Sequence, residues 1–170
     1  MIYFLLFFQI IAGASAPSGQ SVFDSKIRWH DESGHELQLE QFKDEELVFG
    51  LAYTTCRITC PMVVQQLKEI EKKMDQKLVR GEIFFISIDP EKDTIQRLAD
   101  YKKKIHIESK RWHFLRANKD ETHDFAKILG FDFNTTDEHI WHDRKVLLVD
   151  GKGHLRKSLE GFNTSLEGIF

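Results

Sequence analysis

Tyr53-Thr54-Thr55-Cys56-Arg57-Ile58-Thr59-Cys60-Pro61 holds the only two cysteines of this 170-residue chain. The residues before it, Leu47 to Tyr53, are apolar enough for a strand buried on both faces. The residues after it predict a helix starting near Cys60. Pro61 suits a first helical position, where a fixed φ and a missing N–H cost nothing. Val63, Leu67, Ile70, Met74 and Leu78 then trace one apolar stripe at helical spacing. The cysteines therefore fall where a central strand gives way to a helix. A thiolate there is favoured by the helix dipole and by backbone N–H groups without helical partners, so Cys60 is expected to have a lowered pKa.

Working outward, Lys26 to His30 and Glu36 to Leu39 predict two short strands joined at Asp31-Glu32-Ser33-Gly34, an N-terminal β-hairpin. Ile83 to Ile88 predicts a second buried strand. Thr94 to about Ile105 predicts a helix, with Leu98, Tyr101 and Ile105 on one face. Trp112 to Leu115 predicts a strand. A further helix is expected from an N-cap at Asp120 to Leu129, stopped by Gly130. Lys145 to Val149 and His154 to Leu159 predict a hairpin around Asp150-Gly151-Lys152-Gly153. Strands alternating with helices and closing on a hairpin give an α/β fold. Its central mixed sheet is flanked by helices in the thioredoxin order, with the extra N-terminal hairpin added.

The composition, 41% hydrophobic and 30% charged with a formal net charge of −3, is that of a globular domain. No basic block suggests nucleic acid, and Lys102-Lys103-Lys104 reads as a solvated helix face. Residues Met1 to Phe23 carry no charged side chain. Ile2 to Ile11 is apolar apart from Gln9, and small residues follow from Ala12 to Ala16. That pattern predicts a signal peptide or membrane anchor over 1–16, with A-x-A sites ending at Ala14 or Ala16. A linker over 17–23 and one domain over 24–170 complete the division. Export from the cytoplasm follows, with membrane association through the N-terminus if the leader is retained.

Two cysteines in an oxidising compartment suit a structural disulfide, a redox dithiol or a metal site. A thioredoxin-type dithiol is C-x-x-C and is faced by a cis-proline. This motif is C-x-x-x-C, and 131–149 contains no proline. A peroxiredoxin pattern fails as well, since Tyr53 and Arg57 stand where Thr or Ser would precede the reactive cysteine. The extra residue between the cysteines leaves room for an ion between two sulfurs. Thiolates completed by an imidazole select copper(I) over hard cations. Zinc in a closed structural site would need a fourth ligand.

These residues resemble the Sco/SenC family. Phe49 to Cys56 is similar to the family's strand into its first cysteine, and Cys56-x-x-x-Cys60-Pro61 to its metal motif. Ile86-Ser87-Ile88-Asp89-Pro90-Glu91-Lys92-Asp93-Thr94 resembles its second signature, and His142 stands at its ligand histidine. The resemblance runs from about Ile27 to Gly161. Three departures stand out. Arg57-Ile58-Thr59 replaces the family's usual Pro-Asp pair, placing a positive charge beside the thiolates. The segment Glu138 to Arg144 is unusually polar. Relatives commonly continue past the equivalent of Phe170 into a terminal helix.

The resemblance implies a metallochaperone rather than an enzyme. One copper ion, copper(I) favoured, would sit on Cys56, Cys60 and His142 and pass to the CuA centre of cytochrome c oxidase subunit II or a related copper protein. An upstream copper donor would load it. The implied location is the periplasm, or the mitochondrial intermembrane space in a eukaryote. His139 is the rival ligand, three residues from His142. Asp89 is expected either as a turn residue before Pro90 or as a group orienting the ligand imidazole or an arginine. Two further readings stay open: a thiol–disulfide reductase using the Cys56–Cys60 couple on the oxidase subunit, and a copper-responsive redox sensor.

Overall fold

A computed structural model describes residues 19–56, 60–136, 140–161 and 164–170. The chain opens with β1 (Trp29–His30) and β2 (Glu36–Leu37), an antiparallel pair. β3 (Glu46–Ala52), α1 (Cys60–Lys77), β4 (Gly81–Ser87), α2 (Ile95–Lys104), β5 (Trp112–Leu115) and α3 (Lys119–Ile128) come next. A short ribbon of β6 (Phe133–Thr135) and β7 (Ile140–His142) precedes β8 (Lys145–Val149) and β9 (Leu155–Glu160). The main sheet runs β5-β4-β3-β8-β9, with β3, β4 and β5 parallel and β8 and β9 antiparallel to their neighbours. This is the mixed, helix-flanked α/β sheet read from the sequence, and its architecture is thioredoxin-like.

Strand alternation divides the core in two. Leu47, Phe49 and Leu51 of β3 face one cluster with Trp29, Phe84 and Phe125, while Val48 and Ala52 face the other, under α1 and α2. Gly50 lies on the α1 side. A Cβ there would stand 2.8 Å from Leu67 Cδ1 and 2.9 Å from Val63 Cγ1, so its absence lets α1 lie close against β3. That contact sets the position of Cys60 at the helix start.

The N-terminal hairpin covers the β5 edge of the sheet. His30 and Arg116 exchange backbone hydrogen bonds of 2.9 and 3.0 Å. The Glu32 carboxylate accepts the Phe114 N–H at 3.0 Å and pairs with Lys102, whose ammonium also donates to the Trp112 carbonyl at 3.0 Å.

Several boundaries move from those expected. The hairpin strands have two residues each, and Leu39 opens a 3-10 turn through Phe42 instead of ending a strand. Val22–Ser25 forms another 3-10 turn whose Val22 and Phe23 are buried, so ordered structure reaches into the segment read as linker. Leu78 is no part of the α1 stripe. It comes directly after the last helical residue, with a positive φ of 55°, and is 92% exposed. The N-cap of α3 is Asn118, which forms a reciprocal capping box with Glu121, and Asp120 falls within the first turn. The leader and Pro17 lie outside the described residues. Among the described residues no helix is long and apolar enough to cross a membrane.

Candidate metal centre

Beyond Ala52 the chain leaves the sheet at its carboxyl edge, where open α/β folds place their sites. The Ile88 N–H donates to the Ala52 carbonyl at 3.0 Å, keeping the ends of β3 and β4 together. Asp93, fully buried, fastens the loop after β3. Its carboxylate accepts the Thr54 N–H at 3.0 Å, the Thr54 hydroxyl, and the Ser87 hydroxyl at 2.7 Å. The second signature is thus a clamp on the loop that carries Cys56, and Asp93 is its jaw.

Cys60 begins the described part of α1 and has no exposed surface. Its sulfur receives the Tyr53 N–H at 3.4 Å. Cys56 is half-buried, and both residues are in the dithiol form. His142 closes β7 and is 9% exposed, its ring stacked on Phe131 at 6.2 Å and edge-on to Tyr53 at 5.9 Å. The ribbon beneath it is held by Asp143, whose backbone N–H donates to the Asp132 carbonyl and whose carboxylate accepts the Asp132 N–H, both at 2.9 Å. Lys145 pairs with that carboxylate at 2.8 Å.

His142 Nδ1 lies 2.6 Å from the Asp143 carbonyl oxygen. A carbonyl only accepts, so Nδ1 carries the proton and the imidazole lone pair sits on Nε2. A carbonyl or carboxylate behind the ring is the usual way of fixing a ligand histidine. Here the backbone of Asp143 fills the orienting part that the sequence suggested for Asp89. Asp89 is buried and salt-bridged to Lys92 at 3.4 Å. Its backbone carbonyl accepts from Lys92 and Asp93, which is turn geometry ahead of Thr94, the N-cap of α2.

One ligand atom each from Cys56, Cys60 and His142 lie within 4.8 Å of one another. Two sulfurs and one ring nitrogen so placed can hold a soft metal ion. His139, Arg57, Ile58 and Thr59 lie outside the described residues.

Sequence reading missed Tyr53, Asp93 and Asp143. Tyr53 touches both arms of the group: its phenol bonds the Cys56 side chain and its ring meets His142. Burial, then the negative charge of Cys56, pushes its pKa from 10 up to about 12, so it remains a neutral donor to sulfur. Asp93 was visible as an acid within the Asp-Pro segment, but its bond to Thr54 spans 39 residues and has no local signature.

The architecture and the site define a class: thioredoxin-like proteins with a dithiol–imidazole group at the carboxyl end of the central strand. Residues 15–168 match the SCO1/SenC family model, and the chain belongs to that family. It is 24% identical over 147 residues to a SCO1 protein homolog of Bacillus subtilis, covering 83% of this chain and 76% of the relative. Its structure is similar to that of BsSco, a member of the Sco family of cytochrome c oxidase assembly proteins in which a disulfide switch was identified. That match has a TM-score of 0.75 at 23% identity and covers 90% of this chain and 91% of the other. Arabidopsis thaliana ScoI with copper bound superposes with a TM-score of 0.71 at 19% identity, over 84% of this chain and 90% of that one.

Proposed function

We propose that this chain holds one copper(I) ion on Cys56, Cys60 and His142 outside the cytoplasm and passes it to a copper-accepting protein during cytochrome c oxidase assembly. The observation that carries this is the convergence of two sulfurs and an imidazole within 4.8 Å, the ring already fixed by Asp143. Soft thiolates suit copper(I), and three ligands leave room for an incoming one. Copper(I) keeps its charge in the handover. The acceptor's thiols release protons as they bind the ion, and Cys56 and Cys60 take up protons as they let it go. The uncharged apolar leader supports a mature chain in the periplasm or an equivalent compartment, free or tethered. Subunit II of the oxidase is the proposed acceptor, with a separate donor upstream.

The test is a copper(I) titration against a chelator of known affinity. Reduced wild type should take up one ion per chain, and the Cys56–Cys60 disulfide form none. His142→Ala should lose at least about tenfold in affinity, some 1.4 kcal/mol, while still reducing a model disulfide. His139→Ala should match wild type. Equal uptake by reduced and oxidised protein would overturn the assignment.

The half-buried Cys56 beside the buried Cys60 also has the form of an attacking and a resolving thiol, which favours a reductase as the second reading. In that case His142→Ala would keep full activity on the oxidase subunit's disulfide and in assembly.

A further inference from the structure

We propose that the rim of the metal group is a docking face for the copper-accepting protein, which seats an apolar contact on Trp141 and a carboxylate between Lys68 and Lys104. This deepens the proposed function and rests on it. Among the described residues, the large hydrophobic side chains left exposed are Met62 at 43%, Leu78 at 92% and Trp141 at 64%. Leu78 lies past the far end of α1, whereas Met62 comes two residues after Cys60 and Trp141 immediately before His142. Exposed tryptophan is costly to leave in water and is the side chain most enriched at the energetic centres of interfaces.

The surface around the loop that carries Cys56 is concave on both sides. A hollow of about 700 Å³ opens next to Cys56 between the loop after β3, the first turns of α1 and the end of α2. Pro61, Val64, Tyr101 and Ile105 give it an apolar lining, and among the described residues its charged lining is Lys68 and Lys104. The Lys68 ammonium is set in place by the Ile105 carbonyl at 2.7 Å. A second hollow of about 420 Å³ lies on the other side of Thr55, between Tyr53, Ile140 and Trp141. Thr55, exposed, lines both, so the loop carrying Cys56 stands as a ridge between them. A partner covering both hollows lies directly over the half-buried thiol. Two lysines at the edge of an apolar hollow require an acidic group on whatever desolvates them, and like charge there is rejected. The occupant is therefore a folded protein that presents thiols to the ridge and a carboxylate to the lysine pair. A lipid surface fits less well, because the second hollow carries the Asp89–Lys92 ion pair instead of further unpaired cations.

The experiment follows copper(I) transfer from the loaded chain to the reduced, metal-free copper domain of oxidase subunit II from the same source, with acceptor concentration varied. Lys68→Glu/Lys104→Glu and Trp141→Ala should each load copper with wild-type affinity. The double variant should raise the half-saturating acceptor concentration by roughly tenfold and flatten its dependence on salt, and Trp141→Ala should raise it several-fold. Lys104→Glu alone, which leaves the Lys68 anchor intact, should show part of the double variant's effect. Lys127→Glu on α3, remote from the rim, should transfer as wild type does. Unchanged half-saturation in both rim variants overturns the docking face, as does an equal rise for Lys127→Glu. A wild-type chain that takes up no copper(I) fails the proposed function instead, a result separable from either.

Discussion

Cys60 and Cys56 enter one candidate metal group from opposite kinds of surroundings. Cys60 is walled in by the α1 cluster, with no exposed surface, on a helix pressed against Gly50 of the central strand. Cys56 stands half-buried on a ridge between two hollows, its loop secured from behind by the Asp93 carboxylate. A site with both sulfurs in the core would bind firmly and release slowly. One with both on the surface would hold nothing in place. The difference between the two cysteines separates retention from access, and exchange with a partner would start at Cys56.

The largest expected effect tests this directly. In the reduced protein Cys56 should be alkylated faster than Cys60 by roughly a hundredfold, since reaction at a fully buried thiol waits on local opening. Peptide mapping after timed treatment with iodoacetamide gives both rates. Equal rates would break the comparison.

A smaller effect is expected at the clamp. Asp93→Asn keeps the shape but turns a charged acceptor of three donors into a neutral one. It should cost about 2 kcal/mol of stability and weaken copper(I) binding by about tenfold with all three ligands present. Thermal melts and chelator competition check the two parts. Wild-type copper affinity in a destabilised Asp93→Asn would show that the loop holds Cys56 without the clamp.

The smallest effect is spectroscopic. Tyr53 and Tyr101 are both pushed from 10 up to about 12, first by burial and then by cysteine charge, but in opposite order. Cys56 weighs more on Tyr53 and Cys60 more on Tyr101. Phenolate absorbance should show both ionising near pH 12, with Cys56→Ser lowering Tyr53 more and Cys60→Ser lowering Tyr101 more. The raised values also carry a linkage. The folded chain keeps protons that unfolded tyrosines lose near pH 10, so this stabilisation is full below about 10 and is lost as pH rises through about 12.

How far each interaction reaches along the chain decides whether the sequence shows it or hides it. Pro61, the stripe from Val63 to Met74 and the apolar runs of β3 and β4 are local patterns, and each appears where periodicity puts it. Leu78 extended the stripe on paper, but the chain turns at that residue, and periodicity carries no stop signal. Asn118 was passed over for Asp120 because either side chain can cap; the reciprocal bond with Glu121 decides between them. Cys56, Cys60 and His142 were legible through motif and resemblance. Tyr53, Asp93 and the Asp143 carbonyl were not, because their roles exist only once β3, β4 and the β6–β7 ribbon are side by side. Asp89 was open to two readings, and the turn before Pro90 is the one its backbone bonds show, whereas the Asp143 carbonyl behind the imidazole had no mark in the sequence.

The N-terminal hairpin has a consequence for the molecule in company. An outer strand with unsatisfied amides is a template on which another chain can add itself, and stacked copies lead to fibres. From Phe114 to Arg116 that template is already occupied, by the Glu32 carboxylate and the backbone of His30. The plug is fastened through the Lys102 pair, so charge reversal at Glu32 would unmask the strand as well as loosen the hairpin. A chain that exposes tryptophan and leaves a half-buried thiol at one end of its sheet is in this way kept from recruiting copies of itself along the β5 side.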